Sequence, residues 1–208
     1  MKLRIASLTI LCLALAAVPA FADYDNGPIN GTTDAWTINF GYIVSDTFTS
    51  NGSPVTGFSA GVWEFPGDTV TALDWSITSG ENSGTVFGSG TASGGNISDK
   101  YISSNQYGYN IDTITVTGLN VALSSGTYWL NLQNASVASG DPVYWDENSG
   151  TGCGGSGCPS QASESALGTI PSEAFTVAMG GTVPEPSSIM LFGSGILGLA
   201  GVLRRKLF

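Results

Sequence analysis

The 208 residues predict an all-β domain: an antiparallel two-sheet sandwich, jelly-roll-like, flanked by an N-terminal signal helix and a short C-terminal membrane helix. Three observations carry that expectation. Large apolar residues recur with period two between Asp23 and Gly180, Gly/Ser/Asn clusters interrupt them at short intervals, and an uncharged apolar segment stands near each end. Strands with one dry face bury it most simply against a second sheet.

In chain order, residues 1–22 read as a signal peptide. Lys2 and Arg4 precede an unbroken apolar run, 5–18, and Pro19 with Ala20-Phe21-Ala22 gives signal peptidase a small-residue site, so the mature chain begins at Asp23. An uncleaved anchor is the alternative, but the run is short for a membrane span. Cys12 follows Leu11, where a lipobox would want a small residue, and is no lipid attachment site.

Residues 23–180 form the passenger domain. Trp36, Ile38, Phe40, Tyr42 and Val44 alternate with Thr37, Asn39, Gly41 and Ser45, which predicts one strand. Leu73, Trp75 and Ile77 predict another, as do Tyr128, Leu130 and Leu132, and Phe175, Val177 and Met179. Ile114 and Val116, then Leu119, Val121 and Leu123, mark a strand region divided at Gly118. Alternation changes phase at Gly61-Val62, between Phe58-Ser-Ala60 and Trp63-Glu-Phe65, and predicts a bulge there. Turns fall at 50–53, 66–68, 79–84, 93–96 and 124–126, and the only helix expected in the domain is a turn or two within 159–167.

Residues 181–188 are a linker in which Val183-Pro184-Glu185-Pro186 stays extended, because proline lacks the amide donor and pushes its predecessor out of helix. Residues 189–203 follow without a charge, about 22 Å long as a helix and short against a hydrocarbon core of about 30 Å. Arg204, Arg205 and Lys206, in the basic tail 204–208, would stay on the cytoplasmic side.

Proline motif, short apolar helix and terminal arginine cluster together resemble the PEP-CTERM sorting signal of exopolysaccharide-producing Gram-negative bacteria; the same tail is also described as the C-terminal domain of ice-binding proteins. The resemblance implies recognition and cutting by an exosortase, an inner-membrane intermediate, and delivery of the passenger to the cell surface or extracellular matrix. Residues 62–68 and 123–132 also look like stretches of secreted β-sandwich passengers with this tail, a group whose resemblance implies no particular activity. Core packing is the expected role of Tyr128 and Leu130.

Charge narrows the partners. Between Asp23 and Thr182, Lys100 stands alone against fifteen acids, a net charge of -14. A surface of that sign repels phosphate backbones, excluding nucleic acid, and gathers cations, so divalent ions could bridge the domain to acidic polysaccharide. Cys153 and Cys158 survive processing, and the Gly-Gly-Ser-Gly spacer lets their sulfurs meet in a loop disulfide. Such a small ring contributes only about 2 kcal/mol.

With no histidine, imidazole catalysis and imidazole metal ligation are excluded, and a Ser-Lys pair would depend on Lys100 outside any Ser-x-x-Lys motif. No catalytic residue is expected. Carboxylate pairs at glycosidase spacing would arise by chance among fifteen acids. The polar cluster of most interest is Asp141, Tyr144, Trp145, Asp146 and Glu147, where aromatic planes beside carboxylates could stack on a sugar or the acids could hold Ca2+. Alternatively, Tyr144 and Trp145 cover the sandwich edge while the acids face water. Asp23-Tyr-Asp25-Asn-Gly27 departs from the EF-hand pattern by one position, and the Asn30, Asn51, Asn96 and Asn134 sequons read as turn chemistry.

The expected function is a non-enzymatic surface or exopolysaccharide-matrix protein, with a carbohydrate-binding module and a glycan-active enzyme as alternatives. An exposed row of aromatics on one sheet face would favour the module, a deep cleft with paired carboxylates the enzyme, and neither feature the first reading.

Overall fold

A computed structural model describes residues 23–148 and 162–180. The signal segment 1–22 with Ala20 and Ala22, the pair Cys153 and Cys158, the linker 181–188, the segment 189–203 and the tail 204–208 lie outside the described residues. The strands are β1 (Tyr24–Asp25), β2 (Ala35–Thr37), β3 (Ile43–Asn51), β4 (Val55–Glu64), β5 (Ala72–Gly80), β6 (Ser83–Ser93), β7 (Ile97–Ser104), β8 (Asn110–Val121), β9 (Ser125–Ser136), β10 (Tyr144–Asp146), β11 (Ala162–Glu164), β12 (Gly168–Ile170) and β13 (Phe175–Met179).

All pairings among these strands are antiparallel and make two sheets. The six-stranded sheet runs β12-β11-β3-β9-β5-β6. In the seven-stranded sheet β4 is central, with β8 and then β7 on one side. On its other side β13 pairs with residues 55–60 of β4 and β10 with residues 62–63, and these carry β1 and β2 at their outer edges. Among the described residues no helix is long and apolar enough to cross a membrane.

One apolar core joins the inner faces. Phe58, Val62, Ile114, Val116 and Val177 come from the seven-stranded sheet, and Phe48, Leu73, Ile77, Leu130 and Leu132 from the six-stranded sheet. The alternations predicted in β5, β9 and β13 lie where expected, with Leu73, Trp75, Ile77, Tyr128, Leu130, Leu132, Phe175, Val177 and Met179 buried. A polar network fastens the N-terminal segment to the strands beneath it. Asn26, itself buried, donates to Asp46 Oδ2 (3.1 Å), Ser172 Oγ (3.0 Å) and the Glu173 carbonyl (2.7 Å). Asn30 Oδ1 accepts the N–H groups of Thr32 and Thr33, and Asn51 Oδ1 accepts that of Ser53, which is the turn chemistry expected at two sequons.

Several expectations need correction. The alternation from Trp36 to Val44 is not one strand: Phe40 and Gly41 have φ of 55° and 88°, and the Tyr42 N–H donates to the Asn39 carbonyl, closing a tight turn between β2 and β3 in different sheets. Phe40 is consequently 63% exposed. The bulge is not at Gly61-Val62, because the β4–β8 ladder is regular from Gly57 to Glu64 and shifts between Val55 and Gly57, opposite the stretch holding Gly118 at φ 77°. Succession of buried residues at 61–63 instead reflects cover on both faces of β4: Ile29 lies directly over Gly61. Residues 162–164 are strand β11 rather than helix.

Candidate functional site

Pleating decides what the end of β4 presents. Phe58, Ala60, Val62 and Glu64 face inward, while Ser59, Gly61 and Trp63 face outward. Register with β8 sets Val62 opposite Asp112, and register of β7 sets Asp99 opposite Ile114, so Glu64, Asp112 and Asp99 share the inner face on three adjacent strands. One oxygen from each of the three lies within 4.8 Å of the other two, the one such acidic cluster among the described residues. Glu64 is 0% and Asp112 2% exposed, and Asp99 is half-buried. Asp99 Oδ2 accepts the Val70 N–H at 2.7 Å. Both Glu64 carboxyl oxygens, Asp99 Oδ1 and Asp112 Oδ1 have no hydrogen-bond partner. Burial, then the nearby Asp99, then the charges of Asp112 and Asp68, push the Glu64 carboxyl up to about 9. Burial and the Asp99 charge push Asp112 up to about 6. Lys100, the neighbour of Asp99, is exposed, and the pleat turns it to the opposite face of β7.

On the outer face at the same end lies an aromatic group. Tyr107, in the loop joining β7 to β8, stacks on Trp63 with centroids 5.8 Å apart and planes at 20°. Tyr109 meets Trp63, Phe65 and Tyr144 at 5.8, 5.0 and 5.6 Å. Tyr107 is 56% exposed and Phe65 38% exposed, so the group offers open ring surface. Burial, with a hydrogen bond to Tyr109, pushes the Tyr144 phenol up to about 12.

The residues 141–147 divide between different surroundings. Tyr144 joins the aromatic group, Trp145 is fully buried in the core and donates through Nε1 to the Ala174 carbonyl at 3.0 Å, and Asp146 is fully buried beneath the N-terminal segment. Asp146 Oδ1 accepts Trp63 Nε1–H (2.6 Å) and the Gly31 N–H (2.9 Å), and Oδ2 accepts the Asn30 N–H (2.8 Å). Burial pushes its carboxyl up to about 6, these three bonds opposing the rise. Glu147 accepts Trp36 Nε1–H at 3.3 Å, and burial raises its carboxyl. Asp141 sits apart in a loop, its N–H bonded to Ser139 Oγ at 3.1 Å. Asp146 and Glu147 therefore do not face water.

The fifteen acids are not all at the surface. Asp46, Glu64, Asp112, Asp146, Glu147, Glu164 and Glu173 are buried, so the negative surface is weaker than the count implied. Two surface depressions each hold one carboxylate. In one of about 370 Å³, lined by Trp36, Tyr42 and Leu167 among others, Glu164 caps its own turn by accepting the Ala166 and Leu167 N–H groups. In the other, of about 260 Å³, Asp74 accepts Thr91 Oγ1–H and Asn134 Nδ2–H.

Sequence reasoning did not single out Glu64, Asp99, Asp112 or Tyr107. A signal for two of them was present: Asp112 stands two residues before Ile114 and four before Val116, on the face that alternation assigns to the core, and Glu64 continues the Phe58-Ala60-Val62 face.

Comparison with curated proteins finds no match. Residues 182–206 match the family model described as the PEP-CTERM protein-sorting motif, which covers the prolines, the apolar segment and the arginine cluster. The chain thus carries a PEP-CTERM sorting motif at residues 182–206, the mark of a protein exported through exosortase sorting to the surface or the extracellular space.

Proposed function

We propose that this protein is a non-enzymatic component of the cell surface or exopolysaccharide matrix of a Gram-negative bacterium. Signal peptidase cuts before Asp23, the segment 189–203 holds the chain briefly in the inner membrane, and an exosortase-type enzyme cuts near Val183-Pro184-Glu185-Pro186. Cys153 and Cys158 close a disulfide after export. The observation that carries this reading is the sorting motif joined to a domain whose described residues form two antiparallel sheets and no α-helix. A jelly-roll-like description suits that domain, because β3, β4 and β5 alternate between sheets and β9 lies between β3 and β5. Intact mass of the extracellular form tests the reading: the expected species begins at Asp23 and ends near the Pro-Glu-Pro motif. Recovery of the whole chain from the soluble cell interior would overturn it, and an extracellular or membrane form still ending at Phe208 would replace release by a permanent anchor.

The aromatic group favours a second reading, a carbohydrate-binding module. Exposed planes of Tyr107 and Phe65, backed by Trp63 and Tyr109, match the apolar face of a sugar ring, which stacks on aromatic surfaces. Tyr107→Ala is expected to weaken retardation of the protein in gels containing the producer's exopolysaccharide by about three- to tenfold. Unchanged mobility of that variant, or no retardation of the wild type, removes this reading and leaves the first.

A further inference from the structure

We infer that Glu64, Asp99 and Asp112 hold one divalent cation, calcium, between β4, β7 and β8. The donor set is oxygen only, which suits a hard cation. The three carboxylates converge from three adjacent strands onto one inner face, with one oxygen of each within 4.8 Å of the other two. Acidic clusters form without ions when N–H and O–H donors of the protein satisfy them, as donors do at Asp146. Here they do not: Glu64 is 0% exposed and neither of its oxygens has a partner, and Asp99 and Asp112 each leave one buried oxygen unpartnered beside it.

A proton is the simplest rival. One proton shared between Glu64 and Asp99 makes one hydrogen bond, and leaves the second Glu64 oxygen and Asp112 Oδ1 unsatisfied. A single cation at the centre takes an oxygen from each carboxylate, can take the second from Glu64 as well, and offsets the mutual repulsion of the three groups. Calcium fits better than magnesium. It accepts six to eight oxygens in irregular arrangement, one- or two-handed from each carboxylate, whereas magnesium demands a near-ideal octahedron of shorter contacts and keeps several of its waters. The cation would clamp the end of β4 to β7 and β8, the strands whose loop carries Tyr107. This inference stands independently of the carbohydrate reading, since the cluster and the aromatics occupy opposite faces of β4.

The test uses the full chain, purified in detergent and stripped with chelator, in about 150 mM salt so that exposed acids are screened. Titration with calcium chloride is expected to give one ion per chain with a Kd at or below about 1 mM and to raise Tm by several degrees at saturation. Glu64→Gln and Asp112→Asn should each weaken binding about tenfold or more and abolish the Tm shift, while Asp141→Asn leaves both intact. Absence of calcium binding by the wild type overturns the proposal, and this outcome does not depend on any variant folding. Wild-type affinity in Glu64→Gln or Asp112→Asn, or loss of binding in Asp141→Asn, overturns it too, and an equal Tm shift with magnesium chloride overturns the choice of ion.

Discussion

Asp146 shows how a single side chain can be costly as a charge and still organise its surroundings. Its three N–H donors come from Trp63 and from the Asn30-Gly31 segment, so the carboxylate ties the N-terminal segment to β10 and β4. Burial nevertheless wins, and the folded carboxyl stands near pH 6 against an ordinary 3.8. A raised folded value means the native state binds the proton more tightly, so the contribution of this group is greatest below about pH 4 and is lost as pH rises through about 6. The difference corresponds to about 3 kcal/mol. In Asp146→Ala that dependence disappears and three donors lose their acceptor, so urea unfolding should show a variant less stable than wild type at about pH 4, with the gap narrowing by about 3 kcal/mol toward pH 7. A gap that widens with pH would mean that the donors outweigh burial and that the sign is reversed.

β4 carries the greatest constraint of any element, because both of its faces are covered and it meets three other strands. Two of its glycines make a graded test. A Cβ on Gly57 would stand 2.4 Å from the Val116 carbonyl oxygen, fixed in the ladder, whereas one on Gly61 would meet only side-chain atoms of Ile29, Cγ1 at 2.6 Å and Cγ2 at 2.9 Å. Gly57→Ala should therefore lower the urea midpoint by more than Gly61→Ala, with costs of about 3 and about 1 kcal/mol. Equal effects would show that the backbone at Val116 yields as readily as the Ile29 side chain. This double cover also explains what the sequence concealed. β5, β9 and β13 were legible because one face is dry and one wet, while β4 buries residues in succession and imitates a phase change. β6 and β7 are mostly exposed and rich in Gly and Ser, and carry no alternation to read. The turn at Phe40-Gly41 was hidden because hydropathy does not report a left-handed φ.

For the whole molecule, the two ends of the sequence were legible as linear patterns: the sorting motif needs only its three parts in order, and the family match covers them. The acidic cluster required something hydropathy cannot give, the register of three strands separated by thirty-five and thirteen positions along the chain. Fifteen acids invited a reading in terms of surface charge, yet seven lie inside, which makes the interior, rather than the surface alone, the place where protons and cations act on this domain.

At one end of β4 the Gly180 N–H donates to the Pro54 carbonyl at 2.7 Å, and beside it the Met179 N–H donates to Asp23 Oδ1 at 2.9 Å. The other end of β4, ten residues and about 30 Å away, supports Trp63 and Tyr107. Both termini of the described domain thus leave by one pole while the open rings occupy the opposite one. A grip on residue 180 and a grip on Tyr107 would be joined through one continuous strand, so tension between them would run lengthwise and shear the flanking ladders together instead of unzipping them one bond at a time.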